Sequence, residues 1–300
     1  MVFPKDHHVE SFDGTRIGYT MLGNDGPWVA LCAGFGCTDS HWRYLGPALA
    51  RDHRVIVWDL RGLGASGLPR DPGYRARNLS PEDLSIEASA RDLEAVLDAE
   101  SVERVTVLGH SMGGQTILEA YRRYPPRVAG LVFVTAPYES PLRTFYGRDI
   151  VAVHGWIDRA IRLLPRPAGV ALWRASFLAH PPTTHRIAKF VRALGPEGRL
   201  EDMEVYYRHM GLLDPLVLLK MAQAMHAHSG ADVLETVTVP TLVVTASLDT
   251  FSPPELGERM KERMAHAEHV EIEGAAHAAI VEKPDDVNAA VRGFLERHGL

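Results

Sequence analysis

The sequence predicts an α/β protein, in which a mostly parallel central sheet is flanked by helices and carries an inserted helical segment. Two observations lead to this prediction. Short apolar runs of strand length alternate with helical patterns near both ends of the chain, and the alternation lapses between residues 138 and 229. Strands that alternate with helices are joined by right-handed crossovers, which give a parallel sheet covered on both faces.

The elements follow this scheme in order along the chain. Alternating polarity in HVESFDGTRIGYTML, around Asp13-Gly14, predicts an antiparallel hairpin. Apolar runs predict strands at 28–33, 55–58, 105–108, 131–135, 241–245 and 270–272. Ser80-Pro81 is typical of a helix start and predicts a helix to about residue 99, while a second helix over 115–124 ends at Pro125-Pro126.

The change in pattern after residue 137 predicts two structural units. Residues 1–137 and 230–300 form the α/β core, and residues 138–229 form a helical cap in which prolines separate the helical runs. Ligands bind outside the carboxyl ends of the strands in open α/β sheets. We therefore expect the cap to cover that edge of the sheet.

The composition of the chain indicates which partners and which cellular compartment to expect. The net charge is −6 and no Lys/Arg-rich run occurs, so we expect no nucleic-acid partner. No stretch approaches the length of a membrane span, and MVFPKDHHVE has no apolar signal region. The two cysteines, Cys32 and Cys37, do not make a disulfide framework and suit a reducing cytoplasm. The oligomeric state stays open.

The run VTVLGHSMGG, residues 105–114, is the most informative in the chain. A buried strand ends in Gly-His-Ser-Met-Gly and passes directly into a helix. This is the G-x-S-x-G pattern of a nucleophile elbow in the strand–turn–helix context that it requires. The small flanking residues let backbone segments approach a serine held on a tight turn. The pattern predicts that Ser111 is a nucleophile.

A serine hydroxyl needs a histidine to take its proton and a carboxylate to orient that histidine. In this type of fold the chain order is serine, acid, histidine. Asp249 follows the strand at 241–245, and His277 follows the final strand at 270–272. Both therefore belong to the same edge of the sheet as Ser111, and they are the predicted orienting acid and general base.

The turn LCAGFGCTD, residues 31–39, permits two interpretations. Its Gly-x-Gly follows a strand, and Asp59 lies about where a dinucleotide-binding fold has its ribose-binding acid. The third position of that motif is Asp39, however, where a glycine is needed and where a carboxylate would face a pyrophosphate. The alternative is an oxyanion hole, with backbone N–H donors from Phe35 and Met112. The ordered serine, acid and histidine favour the second interpretation.

These motifs resemble those of the α/β-hydrolase superfamily, in particular its capped serine hydrolases of the esterase and lipase branch. GHSMGG resembles the family's elbow, SLDTFSPP its acid loop, GAAHAAIVEKPDDV its histidine loop, and DLRGLGAS a turn after its fourth strand. The resemblance covers both core segments and implies the α/β-hydrolase fold. One departure is Ala33, where the family commonly has a histidine that braces the oxyanion turn.

The resemblance and the motifs together imply a serine hydrolase that needs no cofactor and cleaves a small-molecule carboxylic ester with an apolar group. Amide or C–C bond hydrolysis, perhydrolase or acyltransferase chemistry on the same triad stays open, as does a small-molecule receptor of this fold. Epoxide hydrolases and haloalkane dehalogenases would need Asp at the elbow instead of Ser111.

Two further features of the sequence bear on ligands. Candidate substrate-pocket residues are aromatic side chains, namely Phe35, Trp156, Trp173 and Phe177. His7-His8 and His226-x-His228 are the nearest approach to a metal-binding pattern. Since spacing places no third ligand beside either pair, we expect no metal.

Overall fold

The computed structural model describes residues 2–69, 79–143 and 166–300, without the side chain of Arg166. Eight strands form one sheet: β1 (His7–Glu10), β2 (Arg16–Leu22), β3 (Trp28–Cys32), β4 (Arg54–Trp58), β5 (Val105–His110), β6 (Val128–Val134), β7 (Thr241–Ala246) and β8 (Ala267–Ile272). Their order across the sheet is β1-β2-β4-β3-β5-β6-β7-β8. The predicted α/β class is confirmed.

The sheet is antiparallel at one edge and parallel elsewhere. β1 and β2 form the predicted hairpin, and β2 pairs antiparallel with β4. From β4 through β3 to β8 every neighbouring pair is parallel. Each of the six predicted apolar runs falls on one of these strands. The carboxyl ends of β3, β5, β7 and β8 therefore meet at the same edge of the sheet.

Helices cover both faces: α1 (Leu45–Leu49), α2 (Ile86–Ala99), α3 (Gly113–Arg123), α4 (Arg166–Leu178), α5 (Pro181–Phe190), α6 (Leu200–Leu212), α7 (Pro215–Ala227), α8 (Pro254–Arg263), α9 (Ala279–Glu282) and α10 (Pro284–His298). Alternate residues of β3 enter different cores. Ala30 and Cys32 belong to one buried apolar cluster, and Val29 and Leu31 belong to the other. This is the period-two pattern of a strand buried on both faces.

The predicted start of a helix at Ser80 is wrong. Ser80 N–H instead donates to Asp83 Oδ2 at 2.7 Å, and a 3₁₀ turn follows over Glu82–Leu84. The helix α2 begins after Ser85, whose hydroxyl accepts from Ala88 N at 3.1 Å. Both serines are good N-cap residues, and Ser85 has the extended backbone of an N-cap and directly precedes the amphipathic run.

Helices α4 to α7 lie in the chain between β6 and β7, within the predicted cap. The two ends of this segment are adjacent, because Glu139 and Ser229 form an isolated β-bridge and Gly230 N–H donates to Tyr138 O at 2.8 Å. The division of the chain into a core and a cap stays a prediction. Within the described ranges, no helix has the length and apolarity to cross a membrane.

Candidate active site

Ser111 lies on a tight turn between β5 and α3. Its φ is +53°, in the left-handed region that non-glycine residues rarely adopt. The neighbouring α3 begins at Gly113, with Met112 at its N-cap position. The left-handed conformation of Ser111 costs roughly 1–3 kcal/mol and persists where the surrounding structure enforces it. The strained turn carries the serine out of the end of the strand.

Two glycines allow the LCAGFGCTD turn to approach this elbow. β3 and β5 are neighbours in the sheet, with Cys32 opposite Gly109. A Cβ on Gly113 would collide with the carbonyl oxygen of Cys32, and one on Gly34 would lie 2.9 Å from the Cβ of Ser111. Side chains at either position would push the two segments apart, which explains why the motif requires small residues.

The three predicted residues at the strand ends form a continuous hydrogen-bonded chain. Ser111 Oγ lies 2.8 Å from His277 Nε2, and His277 Nδ1 lies 2.9 Å from Asp249 Oδ2. Asp249 is 3% exposed, whereas 14% of the His277 side chain is exposed. The arrangement allows a proton to pass from the hydroxyl to the imidazole while the carboxylate fixes the ring.

The loop of Asp249 holds its carboxylate by additional hydrogen bonds. Oδ1 accepts from the backbone N–H groups of Phe251 at 2.8 Å and Ser252 at 3.2 Å, and Oδ2 accepts from Ser252 Oγ at 2.6 Å. Four donors therefore fix one buried carboxylate, the fourth being His277. Ser252 is not among the residues predicted from the sequence, where its only signal is a serine three residues after the acid.

Contacts on the backbone and the loop hold His277 in place. Thr135 Oγ1 donates to the carbonyl oxygen of His277 at 2.8 Å, and Glu282 Oε2 accepts from Ala276 N–H at 3.0 Å. Burial raises the pKa of Glu282. Thr135 has a φ of +44°, which the sequence gives no means to foresee. These partners orient the imidazole without touching its ring.

The two predicted oxyanion donors face no competing acceptor. The turn closes through a hydrogen bond of 3.1 Å from Cys37 N–H to Gly34 O. Within the described ranges, neither Phe35 N–H nor Met112 N–H donates to a protein acceptor. Both groups are therefore available to a ligand next to Ser111, as an oxyanion hole requires.

Asp39 has a structural role that accounts for its charge. Its carboxylate accepts from Val2 N–H at 2.9 Å, Phe3 N–H at 2.8 Å and Lys5 Nζ at 2.9 Å. The N-terminal segment is thereby fastened to Asp39, which follows the predicted oxyanion turn.

Asp59, the possible ribose-binding acid of the dinucleotide interpretation, also has a hydrogen-bond partner within the protein. Asp59 accepts from Ala65 N–H at 2.9 Å, and burial raises its pKa to about 6. Arg61, two residues later, makes two hydrogen bonds of 2.7 and 2.5 Å to Asp92. These side chains tie neighbouring loops together.

A cavity of about 380 Å³ opens above Ser111. The described residues that line it are Phe35, Cys37, His41, His110, Ser111, Pro141, Leu142, Ala188, Ala193, Met203, Tyr206, Tyr207, Ala222, Met225, His226, Phe251, His277 and Ala278. None of these described lining residues is Lys, Arg, Asp or Glu. The cavity therefore suits an uncharged, largely apolar ligand, and its volume is at the small end of the range for ligand sites.

The predicted pocket aromatics are distributed differently. Phe35 lines the cavity. Trp173 and Phe177 are not among its described lining residues; their rings contact each other at 4.8 Å, and Trp173 Nε1 donates to Met210 O at 2.7 Å. They pack α4 against α6. Trp156 lies outside the described residues.

Two additional histidines stand beside His277. The rings of His41 and His110 are stacked with centroids 5.0 Å apart, and those of His110 and His277 are 5.5 Å apart. Burial, reinforced by nearby His277, lowers the pKa of His41 to about 4, and burial lowers the pKa of His110 well below 6.5. Both rings are therefore neutral near pH 7, so neither adds a positive charge beside His277.

The family model for the alpha/beta hydrolase fold matches residues 27–284. The chain therefore belongs to the α/β-hydrolase fold family, as the motifs indicated. It is 29% identical over 281 residues to "Putative carbamate hydrolase RutD" of Azorhizobium caulinodans, covering 92% of this chain and 94% of that protein. The family and such relatives together support a hydrolase.

A second relative supports the same class, and a solved structure supports the fold. The chain is 26% identical over 313 residues to "Bifunctional epoxide hydrolase 2" of Sus scrofa, covering 94% of this chain and spanning 54% of that protein's length. An esterase from Exiguobacterium antarcticum has a similar structure, with a TM-score of 0.75 and 20% sequence identity, over 96% of this chain and 98% of that one. This last similarity concerns the fold.

Proposed function

We propose that the protein is a serine hydrolase that cleaves small carboxylic esters with an apolar acyl or alcohol group. The observation that carries the proposal is the hydrogen-bonded chain from Ser111 Oγ through His277 to Asp249, with links of 2.8 and 2.9 Å. Such a chain activates a hydroxyl for attack on an acyl carbon. Residues 138–229 act as the cap, and its described residues Met203 and Ala222 belong to the wall of the cavity.

The reaction begins when Ser111 Oγ attacks the ester carbonyl carbon and His277 Nε2 takes the hydroxyl proton. The carbonyl oxygen becomes an oxyanion, which the backbone N–H groups of Phe35 and Met112 stabilise. His277 then gives the proton to the departing alkoxide, which leaves an acyl group on Ser111. Water, deprotonated by His277, releases the acid and restores the serine. Asp249 holds the tautomer and supports the imidazolium throughout.

The residue at the nucleophile position distinguishes the proposed esterase from an epoxide hydrolase, the activity in the name of one relative. Epoxide hydrolases and haloalkane dehalogenases use Asp at the elbow, and this chain has Ser111 there. The described residues that line the cavity carry no Lys, Arg, Asp or Glu, which supports a neutral ester over a substrate with a charged acyl group. Amide, C–C bond and perhydrolase reactions on the same three residues are the alternatives to ester hydrolysis.

The test is a panel of p-nitrophenyl esters from acetate to octanoate, measured with the wild-type protein and the Ser111→Ala variant. We expect turnover in the wild type and a loss of about 10⁴-fold or more in kcat for the variant, because the nucleophile is removed. A fluorophosphonate probe should label Ser111 alone. Cys32 is a matched control: it is completely buried, and Cys32→Ala should leave the rate unchanged.

Two outcomes would overturn the proposal. Equal activity in Ser111→Ala would show that another group attacks the ester. Tight binding of the esters with negligible turnover in the wild type would indicate a small-molecule receptor instead of an enzyme.

A further inference from the structure

Three side chains that bind metals in other proteins meet on the side of α3, away from the lining of the cavity. Glu87 belongs to the first turn of α2, Glu119 belongs to α3, and His228 follows the end of α7. Their ligand atoms all lie within 4.8 Å of one another. We propose that Glu87, Glu119 and His228 bind one divalent cation of the Zn²⁺ class.

His228 is the observation that points to a ligand. Its side chain is 3% exposed, and among the described residues neither ring nitrogen has a hydrogen-bond partner. Buried polar atoms are almost always hydrogen-bonded, so a buried imidazole whose two nitrogens make no hydrogen bond to the described residues requires an explanation. His228 Nε2 faces Glu119, and a cation between the two side chains would coordinate this nitrogen.

The separation of these two groups fits a shared metal ion. His228 Nε2 lies 3.5 Å from Glu119 Oε2. Two ligands at about 2.1 Å from a tetrahedral Zn²⁺ ion lie about 3.4 Å apart. Glu87 is the exposed member of the cluster, so its side chain is free to turn inward and supply the third ligand. One nitrogen and two carboxylates with an open position form a set that zinc accepts.

The backbone around His228 is already fixed. The side-chain amide of Gln115, on α3, donates to Met225 O at 3.1 Å and to His228 O at 3.3 Å. Only two residues further along, Gly230 N–H is bonded to Tyr138 O. The ion would therefore join the last residues of the helical segment to α2 and α3.

Arg122 competes with the cation. Its guanidinium pairs with Glu119 Oε2 and also with Asp232, the latter at 2.7 Å. Binding requires Arg122 to release that oxygen and remain with Asp232. The charges of Glu87 and Glu119 cancel that of a divalent cation. Arg122, once released from Glu119, is still neutralised by Asp232. Removing Arg122 should tighten binding.

The experiment uses the full chain, treated with a chelator and dialysed, and then titrated with Zn²⁺ by calorimetry and followed by thermal unfolding. We expect one ion per chain and a rise in Tm of roughly 5 °C at 100 times Kd. His228→Ala should abolish this binding. Glu87→Gln, at an exposed position, should weaken it about 10-fold or more without unfolding the protein. Arg122→Gln should strengthen it.

Matched controls separate this site from other histidines. His266→Ala changes an exposed histidine elsewhere and should bind Zn²⁺ like the wild type. Glu87→Gln should keep full ester turnover, because Glu87 lies outside the cavity. Failure of the wild type to bind at micromolar Zn²⁺, or unchanged binding in both Glu87→Gln and His228→Ala, would overturn the proposal. Binding lost only on changing His7 and His8 would do the same.

Discussion

The two sides of the cavity are built in different ways. On the sheet side, Ser111, Asp249 and His277 are held by hydrogen bonds of 2.6 to 3.2 Å to defined partners. On the opposite side, α6 and α7 present Met203, Ala222 and other apolar side chains. The first side requires particular atoms at particular places, whereas the second requires volume and apolarity.

This difference decides how each side can be changed. A hydrogen-bonded group cannot be replaced without leaving a partner unpaired, and that loss is large. Packed apolar walls tolerate substitution as long as volume is conserved. We therefore expect changes on the sheet side to abolish turnover, and changes on the helical side to alter which substrates fit.

The largest expected effect in this comparison is that of Asp249→Asn. The amide can still accept from Phe251 N–H, so the loop should keep its shape. It cannot support a positive imidazolium and favours the wrong tautomer of His277, and kcat should fall by about 10³- to 10⁴-fold with little change in KM. The measurement is steady-state hydrolysis of p-nitrophenyl butyrate.

The matched control is Asp285→Asn, which changes an exposed acid in the first turn of α10. Its activity should equal that of the wild type. A loss of less than 10-fold in Asp249→Asn would indicate that another acid orients His277.

The same contrast explains how much the sequence could predict. Ser111, Asp249 and His277 each follow a strand in a required order, so topology and chemistry together identified them. Thr135 escaped because a threonine after a strand is common, and its hydrogen bond to the His277 carbonyl depends on a long-range contact. The helical wall escaped because periodicity shows that a side chain is buried and leaves open whether it faces a cavity or another helix.

A second, smaller effect concerns the buried imidazole of His41. Its folded pKa of about 4 lies below the ordinary value of 6.5, so the unfolded chain takes up this proton first. The corresponding stability is fully present above pH 6.5 and is lost as the pH falls toward 4. A shift of this size corresponds to about 3 kcal/mol in the free energy of unfolding.

Urea unfolding of wild type and His41→Phe between pH 4 and 7.5 measures this contribution. Asp59 and other distant groups titrate in both proteins and cancel, so the difference between the two curves reports His41 together with the stacked His110, whose pKa His41 helps to lower. The variant should lose less stability on acidification. His266→Phe, at an exposed position, should follow the wild type, and parallel curves for wild type and His41→Phe would contradict the assignment.

The smallest expected effect tests the helical wall by filling it. Ala222 on α7 is 8% exposed and lines the cavity, so Ala222→Phe should occupy part of the space above Ser111. Turnover of p-nitrophenyl acetate should remain near the wild-type rate, while kcat/KM for the octanoate should fall by about 10-fold or more.

The matched control is Ala227→Phe, on the exposed face of the same helix, which should leave the turnover of both esters unaffected. Because Ala222 has no hydrogen-bonding side chain, a chain-length-dependent loss can arise only from volume. An equal loss for both esters would mean that the substitution reaches the sheet side, and that the two sides of the cavity are not independent.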